Sequence, residues 1–411
     1  MTFEPLGLRP ALLARLQEQA LTKPTPIQQQ AIPLALAGRD VMGLAQTGTG
    51  KTLAFGLPLL DKLTTSKNKC QPKQVQSLIL APTRELAKQI HDSLKLFLQG
   101  SHLRTVLVIG GASINAQSQR LMRGAHLLVA TPGRLMDLLE RGAVSLDDTR
   151  YLVLDEADQM LDLGFIHTLR KIAKLLPKNR QTLLFSATMP KQMEEIAAAF
   201  LTDPVRVEVT PPGKTADKID QAVVFVEQAG RPKALSDLLD QHRDELALVF
   251  ARTKHGAERL SRKLESEGFA VGAIHGNKSQ GQRNRALEAF RTGELRVLVA
   301  TDVAARGIDI PDVRHVYNFD LPNVADNYVH RIGRTARAGR DGRAISFCGR
   351  EEIKHLRGIE RLIGKPIPVI GDTPAEPHGP KSGTRADGKP KPKGGARRRP
   401  QSRSRNRQKA A

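Results

Sequence analysis

The stretch from Ala45 to Thr52, with the sequence Ala-Gln-Thr-Gly-Thr-Gly-Lys-Thr, has the residue types of a loop that holds a polyphosphate. Glycines permit a tight turn between a predicted strand (Asp40 to Ala45) and a helix from Gly50, so backbone N–H groups and a helix N-terminus face one point. Lys51 then neutralises the outer phosphates, and Thr52 holds Mg²⁺. The predicted nucleotide contacts in the loop are Gln46, Thr47, Gly48, Thr49, Gly50, Lys51 and Thr52. The motif begins with alanine instead of the usual glycine, so its context must support it.

Two carboxylates follow another predicted strand about one hundred residues later. Leu152 to Leu154 are apolar, and Asp155, Glu156, Ala157 and Asp158 come next. Open α/β folds bind ligands at this carboxyl edge of the sheet. Asp155 is predicted to support Mg²⁺, and Glu156 to orient or deprotonate the water that attacks the γ-phosphate. A solvated acidic turn would explain the tetrapeptide in isolation, but the upstream phosphate loop favours the catalytic interpretation.

Two further segments offer groups for the same site. Ser186 and Thr188 follow the apolar run Leu183 to Phe185, and their hydroxyls are predicted to hydrogen-bond the Asp158 side chain. Gln28, in Pro24-Thr25-Pro26-Ile27-Gln28, carries a donor and an acceptor that can pair with the edge of adenine. Without the other motifs, these segments would be an ordinary strand end and a surface glutamine at a helix entry.

The elements that must position these residues alternate as βα units do around a parallel sheet. Apolar runs predict seven strands between Asp40 and Val209 and six between Ala222 and Phe347. Helical spacing, such as that of Leu86, Ile90 and Leu94, separates them. We therefore predict an α/β fold of two tandem doubly wound parallel-sheet domains, residues 1–207 and 219–370, joined by a Pro- and Gly-containing linker at 208–218.

Charge and composition limit the function classes. The 411 residues carry a formal charge of +22 with a pI near 10.3, which favours a polyanionic partner, nucleic acid before an anionic membrane. Cys70 and Cys348 are the only cysteines, so we expect neither a disulfide framework nor a cysteine-based zinc spacing. The N-terminus does not resemble a signal peptide, and no apolar run approaches the roughly 20 residues that span a bilayer. We expect a soluble, cytoplasmic protein without membrane contact.

The C-terminal segment differs from the rest of the chain. Residues 372–411 hold twelve Lys or Arg and three Asp or Glu, a net charge of +9, among many Gly, Pro and Ser residues. Such a composition cannot bury a core, so residues 371–411 are predicted to be a disordered basic tail.

Together these motifs resemble those of the DEAD-box ATP-dependent RNA helicases, and among them the chain is most similar to the bacterial RhlE type. The resemblance covers residues 1 to about 368 and implies two RecA-like domains, with ATP and Mg²⁺ as ligands. It also implies that ATP hydrolysis is coupled to local, non-processive unwinding of RNA duplexes or remodelling of RNA–protein complexes. Ribosomal precursor particles and the RNA-decay machinery are both candidate partners for a protein of this kind.

The resemblance also assigns residues. Phe3 joins Gln28 in adenine recognition, Gly307 and Asp309 lie in the ribose-binding motif, and Arg334 and Arg337 act as arginine fingers. Such planar, permanently charged donors suit phosphate oxygens, and a finger is worth roughly 10³ to 10⁵ in rate. RNA is expected to be contacted mainly through its backbone by Pro82, Thr83, Arg84, Gly110, Gly111, Thr131, Pro132, Gly133, Arg134, Arg252, Gln280, Arg283 and Thr301.

The chain departs from the family pattern at two places. Ala20-Leu21 stands where these proteins usually carry glycine and an aromatic ring that stacks on adenine, so weaker stacking is expected. Ala336 replaces the usual glycine between the two fingers. An alanine methyl group fits there unless the position needs a positive φ, so a small effect is expected.

Two other functions are compatible with parts of this pattern. An RNA-binding or annealing protein would use the two domains as a clamp on RNA and carry a vestigial ATPase. Such a protein would not need Lys51, Glu156, Arg334 and Arg337. A processive DNA translocase of the same superfamily would keep the phosphate loop. The segment around Gln28 and the sequence Asp-Glu-Ala-Asp favour the RNA enzyme. Comparing stimulation of the ATPase by RNA and by DNA distinguishes the two enzymes, because RNA carries a 2′-OH that DNA lacks.

Overall fold

A computed structural model describes residues 2–46, 48–66, 69–189, 191–209, 219–305, 310, 312–336 and 341–371. Four predicted site residues, Thr47, Gly307, Asp309 and Arg337, lie outside the described residues, as do the predicted tail beyond Gly371 and most of the predicted linker.

The first half of the chain alternates strands with helices. Its strands are β1 (Val41–Leu44), β2 (Val75–Leu80), β3 (Thr105–Val108), β4 (Ala125–Ala130), β5 (Tyr151–Leu154), β6 (Gln181–Ser186) and β7 (Val205–Glu208). Its helices are α1 (Pro10–Glu18), α2 (Pro26–Leu36), α3 (Lys51–Thr65), α4 (Arg84–Leu96), α5 (Ile114–Leu121), α6 (Pro132–Glu140), α7 (Ala157–Asp162), α8 (Ile166–Leu175) and α9 (Lys191–Phe200).

The second half repeats this alternation. Its strands are β8 (Ile219–Phe225), β9 (Leu246–Phe250), β10 (Val271–Ile274), β11 (Val297–Ala300), β12 (Val313–Asn318), β13 (Gly342–Cys348) and β14 (Val369–Ile370). Its helices are α10 (Arg231–Asp240), α11 (Lys254–Ser266), α12 (Gln280–Arg291), α13 (Asp302–Ala305), α14 (Ala325–Ile332) and α15 (Ile353–Ile363). Among the helices of the described residues, none is both long and apolar enough to cross a membrane.

The two sheets have equivalent strand orders. The first is β3-β4-β2-β5-β6-β1-β7 and the second is β10-β11-β9-β12-β13-β8-β14, so adding seven to each label of the first gives the second. Every pairing within each sheet is parallel. The predicted fold class, a pair of doubly wound parallel sheets, is therefore confirmed.

Apolar strands are buried on both faces because helices cover each side of the sheet. In β5, Val153 packs into one core cluster, whereas its neighbours Leu152 and Leu154 pack into the cluster on the opposite face. Burial of each such side chain contributes about 1.5–3 kcal/mol. Leu86, Ile90 and Leu94 of α4 are buried along one stripe, as their spacing predicts. Continuous apolar runs in strands and striped helices are thus what this layered fold requires.

Strand β14 was not predicted from the sequence. It consists of Val369 and Ile370 alone, both exposed, and it pairs with β8 at the edge of the second sheet. Two residues cannot show a periodic pattern, so this strand has no detectable signal in the sequence. The other thirteen strands begin and end within three residues of the predicted positions.

A buried arginine lies beyond the carboxyl end of β8 in the second sheet. Arg231, the first residue of α10, is 2% exposed. Its guanidinium donates to the Phe319 carbonyl (2.9 Å) and pairs with the carboxylates of Asp320 (3.0 Å) and Glu352. Removing one member of such a buried network typically costs about 3–5 kcal/mol, because a charge is left without a partner.

Candidate active site

The strand order brings the predicted nucleotide segments together. The carboxyl ends of β1, β6 and β5 are consecutive in the first sheet. The phosphate loop follows β1, Ala187 and Thr188 follow β6, whose last residue is Ser186, and Asp155–Asp158 follows β5. Segments that are more than one hundred residues apart in the chain are therefore neighbours at one sheet edge, which is where open α/β folds bind ligands.

The phosphate loop has the backbone geometry that its glycines predict. Gly50 precedes α3 with φ of +89°, and a Cβ atom there would lie 2.5 Å from Nε2 of Gln28. Glycine is therefore required at this position. Lys51 is buried, and its Nζ donates to the carbonyl of Ala45 at 2.9 Å. The ammonium group is thus held against the loop at the start of α3, within which Thr52 is the second residue.

Gln28 connects the entry of α2 to this loop. Its Oε1 accepts from the Thr25 backbone N–H (2.9 Å), and its Nε2 donates to the Gly50 carbonyl (3.0 Å). Each end of the amide keeps one further hydrogen-bonding position, so pairing with an adenine edge is compatible with these contacts. Phe3 is only 4% exposed and belongs to the hydrophobic core beside α1 and α2, whereas Leu21 is exposed.

Glu156 adopts a left-handed backbone conformation (φ 51°, ψ 51°) that is uncommon for residues other than glycine. Its N–H donates to Asp155 Oδ1 at 3.0 Å. Its side chain is 4% exposed, and within the described part of the chain Oε2 has no hydrogen-bond partner. Strained residues with unpartnered polar atoms concentrate at functional sites. This oxygen is therefore placed to accept a proton or a hydrogen bond from a water molecule.

Burial raises the pKa of the neighbouring Asp155 carboxyl to about 7, against the opposing charge of Lys51. Asp155 is 2% exposed at the end of β5. A buried carboxylate of this kind gains most from a bound cation, because a cation replaces the hydration that the carboxylate has lost.

Asp158 links its segment to the one that follows β6. Its Oδ2 accepts hydrogen bonds from the Thr188 hydroxyl (3.0 Å) and from the N–H groups of Ala187 (3.0 Å) and Thr188 (2.9 Å). The predicted bond from Ser186 is absent, because the Ser186 hydroxyl donates to the Thr188 carbonyl instead (2.7 Å). His330 of the second half lies 3.9 Å from the same Asp158 oxygen.

Arg334 lies two residues beyond the end of α14, in the second half of the chain. It is 4% exposed, and its Nε donates to the His330 carbonyl at 3.1 Å. Arg334 and His330 line one small cavity together with Asp302, Asn327 and Arg331.

Arg331 is a site residue that the sequence interpretation missed. Its guanidinium pairs with both oxygens of Asp302 (2.5 and 2.7 Å) and donates to Asn318 Oδ1 (3.1 Å). The charged group also lies over the Phe250 ring, 5.0 Å from its centroid. This bidentate pair, in which the Arg331 side chain is buried and Asp302 is partly exposed, holds the start of α13 against α14. The signal in the sequence was an additional arginine three residues before Arg334.

The predicted RNA-contacting residues follow equivalent strands in the two sheets. In the first half they follow β2, β3 and β4, and in the second half they follow β9, β10 and β11. These are the same three sheet positions, since the labels differ by seven. Thr83 and Thr131 precede α4 and α6, while Arg134 donates to the Ala112 carbonyl at 2.8 Å. Arg252 pairs with Glu352, and its side chain is 44% exposed.

Several of these residues meet across the two halves. Nη1 of Arg84 donates to Oε1 of Gln280 at 3.2 Å. Glu85, which the sequence interpretation did not single out, accepts from Gln280 Nε2 (2.9 Å) and pairs with Arg283 (3.0 Å). Gly111 needs to be glycine, because its φ is +79° and a Cβ atom would lie 2.3 Å from Arg84. The segments that carry Arg84 in the first half and Gln280 and Arg283 in the second half are thus in direct contact.

Both alanines that replace the usual glycines have positive φ. Ala20 and Ala336 each have φ of 55°. Ala20 follows α1, where its N–H bonds the Gln17 carbonyl and the Leu21 N–H bonds the Leu16 carbonyl, both at 2.9 Å. This is the Schellman motif, whose left-handed position is usually glycine. The condition under which Ala336 was expected to matter is therefore met.

Comparisons with known proteins identify related sequences along both halves of the chain. Residues 25–196 match the family model "DEAD/DEAH box helicase", and residues 230–339 match "Helicase conserved C-terminal domain". The DEAD-box ATP-dependent RNA helicase CshA of Streptococcus pneumoniae is 46% identical over 365 residues, which cover 89% of this chain and 69% of that protein. The helicase of the same name from Bacillus cereus is 45% identical over 360 residues, 88% of this chain and 68% of that one.

Solved structures of other helicases share the fold. Dbp5 of S. cerevisiae bound to RNA and ADP BeF3 is 33% identical, with a TM-score of 0.80 over 90% of this chain and 95% of that one. Mss116p bound to ssRNA and AMP-PNP is 29% identical, with a TM-score of 0.82 over 91% of this chain and 80% of that one. The tandem sheets are thus RecA-like domains. A helicase family model matches each half of the chain, and the CshA relatives align with most of its length. The chain therefore belongs to the DEAD-box ATP-dependent RNA helicases.

Proposed function

We propose that ATP hydrolysis in this helicase takes place between the phosphate loop and the Asp155–Asp158 segment, with Glu156 as the group that activates water. The observation that carries this assignment is the buried, unpartnered Oε2 of Glu156 on a left-handed backbone. Lys51 binds the outer phosphates, and Gln28 reads adenine. Phe3 supports this region from within the hydrophobic core.

Thr52 and Asp155 are the residues that would hold Mg²⁺. Both offer oxygen, which this cation prefers, and the raised pKa of Asp155 indicates a carboxylate that a cation would stabilise. The bound ion would neutralise charge on the transferring phosphoryl group. Thr52 and Asp155 would hold the ion directly or through water.

The arginine fingers come from the second half of the chain. Arg334 and Arg337 are proposed to stabilise the charge that develops in the transition state, and Asp309 and Gly307 to contact the ribose side of the nucleotide. Closure of the two halves completes the site and excludes water. Asp158 supports this coupling, since one oxygen receives three hydrogen bonds from the Ala187–Thr188 segment and lies 3.9 Å from His330.

RNA is proposed to lie across both sheets and to be contacted mainly through phosphates and sugars. The support is the equivalent placement of the predicted contacts after β2, β3, β4 and after β9, β10, β11. With no tryptophan and three tyrosines, the chain offers few aromatic platforms for base stacking. Each closure would then melt a short duplex locally, without translocation along the strand.

Finer assignments within the family are proposals too. The relatives described above carry the name CshA, and the RhlE type assigned from the motifs is the alternative for this chain. Ribosomal precursor particles and the RNA-decay machinery are the proposed sources of substrate, in the cytoplasm. Crosslinking of bound RNA in cells would discriminate between these two sources.

The test of the site compares three variants of the full chain. Lys51→Ala is expected to weaken nucleotide binding, whereas Glu156→Gln keeps binding but loses RNA-stimulated phosphate release. Glu194→Gln makes the same chemical change on the exposed side of α9 and should behave as the unaltered chain. Normal turnover by Glu156→Gln would remove Glu156 from the role of base.

The test of the fingers uses Arg334→Ala. This variant should lose RNA-stimulated hydrolysis by a factor of roughly 10³ or more, since the finger acts on the transition state.

RNA and DNA of equal length and sequence are compared as activators of the unaltered chain. Equal stimulation by both would favour the DNA translocase, and absence of any phosphate release would favour the vestigial clamp.

A further inference from the structure

Two histidines and a glutamate meet at the amino edge of the second sheet. His242 and Glu245 lie in the turn that leads into β9, and His315 is near the start of β12, the strand beside β9. Nε2 of His315 lies 2.5 Å from Oε2 of Glu245, and Nδ1 of His242 lies 3.7 Å from the same oxygen. One potential ligand atom of each residue lies within 4.8 Å of the others. This cluster is at the opposite edge from the residues assigned to nucleotide and RNA.

An irregularity of the backbone aims His315 into the cluster. Between β12 and β9, Val313 pairs with Leu246 and His315 pairs with Ala247, so Arg314 is an extra residue in the ladder. Such bulges redirect a side chain and are over-represented next to functional sites. The His315 side chain is 8% exposed, and its ring stacks on that of His242 with a centroid distance of 4.2 Å.

Two buried polar atoms beside the cluster have no partner among the described residues. They are Nδ1 of His315 and the hydroxyl of Tyr317, which is two residues further along the same strand and 1% exposed. Each buried polar group without a hydrogen bond costs about 1–3 kcal/mol. Either ring nitrogen of a histidine can bind a metal, so the unpartnered Nδ1 of His315 is a second candidate ligand atom beside Nε2.

We propose that His242, Glu245 and His315 form a binding site for a divalent transition-metal ion such as Zn²⁺. Two imidazoles and one carboxylate are a common zinc ligand set, and they leave a fourth position open. Bonds of about 2 Å in a tetrahedral site put ligand atoms about 3.3 Å apart. To admit the ion, the Glu245 and His315 atoms need to separate by less than about 1 Å, and the His242 ring, now stacked on His315, needs to turn so that its nitrogen points at the same position. Nitrogen ligands favour zinc over Mg²⁺ or Ca²⁺, which prefer oxygen.

The site can be tested by titrating the full chain, stripped of metal and free of any histidine tag, with Co²⁺ as a spectroscopic probe. An excess of Mg²⁺ is present throughout to occupy the nucleotide site. The unaltered chain should bind one equivalent of Co²⁺ with visible absorption typical of tetrahedral coordination, and Zn²⁺ should displace it. His242→Ala and Glu245→Gln should each weaken binding by at least about tenfold.

A matched control is available in the first half of the chain. His102 and His126 form an edge-to-face pair with centroids 6.0 Å apart, so His102→Ala should leave Co²⁺ affinity unchanged. Circular dichroism and basal ATPase activity of the variants show whether they are folded. Failure of the unaltered chain to bind an equivalent of Co²⁺, or equal affinity in folded His242→Ala and Glu245→Gln, would overturn the proposal. The cluster would then be a histidine–glutamate ion pair.

Discussion

Replacing Ala20 by glycine is expected to stabilise the protein although it removes a methyl group. Ala20 occupies the left-handed position of the Schellman motif that ends α1, with φ of 55°. Its side chain is exposed, so the substitution removes no core contact. The only changes are relief of the clash between Cβ and the backbone in the folded state and greater freedom of glycine in the unfolded chain.

The two effects have opposite signs and known sizes. A left-handed conformation costs a residue with a Cβ atom about 1–2 kcal/mol. Extra freedom of glycine in the unfolded chain costs about 0.4–1 kcal/mol. The net expectation is that Ala20→Gly raises the free energy of unfolding by about 0.5–1 kcal/mol. Ala336→Gly should act in the same direction in the second half, because Ala336 has the same φ.

Urea unfolding followed by far-UV circular dichroism measures the effect. Ala198 on α9 is the matched control, since it is also an exposed alanine in the first half but lies within a helix. Ala198→Gly should lower stability by about 1 kcal/mol, the usual cost of glycine inside a helix. If Ala20→Gly lowered the midpoint as Ala198→Gly does, without a change in the urea dependence, position 20 would not be left-handed and the argument would fail.

Three further results are expected. Gln28→Ala should reduce the preference for ATP over GTP in a competition assay, and equal use of both nucleotides by the unaltered chain would contradict the adenine-reading role. Thr188→Val removes one of three hydrogen bonds to Asp158 Oδ2, worth about 1 kcal/mol, so duplex unwinding should slow about fivefold while ATP binding persists; unwinding at the normal rate would argue against coupling through this contact. Deleting residues 372–411 should flatten the plot of log RNA affinity against log salt by roughly 4, if about six basic residues engage single-stranded RNA. An unchanged slope would leave the tail as a solubility appendage.

Motifs with a chemical signature were identifiable in the sequence, whereas their partners were not. The phosphate loop and the Asp155–Asp158 segment were each predicted to follow a strand, because flanking apolar runs and residue types indicate both position and chemistry. Both lie at the carboxyl edge of the first sheet, after β1 and β5, with β6 between these strands. Glu85 and Arg331 lie inside recognised motifs, but no individual role was predicted for them, since their importance comes from ion pairs with residues far away in the chain. Spacing in a sequence does not give distances between strands.

Backbone groups were the other source of error. The prediction that Ser186 donates to Asp158 was wrong, because the N–H of Ala187 takes that place and every residue except proline carries such a donor. The sequence identified Ala20 and Ala336 as departures from the family pattern. The free-energy cost of these two alanines could be assigned only when the backbone angles were known, since glycine also occurs at positions with negative φ.

The duplicated strand order determines how many nucleotides one chain should hold. β8 is the equivalent of β1, yet it leads to Arg231 where the first sheet has Lys51, and β12, the equivalent of β5, leads to Asp320 where the first sheet has Asp155. In the second sheet this cation and this carboxylate are bonded to each other at 3.0 Å and buried. The Arg231 side chain thus already neutralises Asp320 at the carboxyl edge of the second sheet. Nucleotide titration should therefore saturate at one ATP per chain.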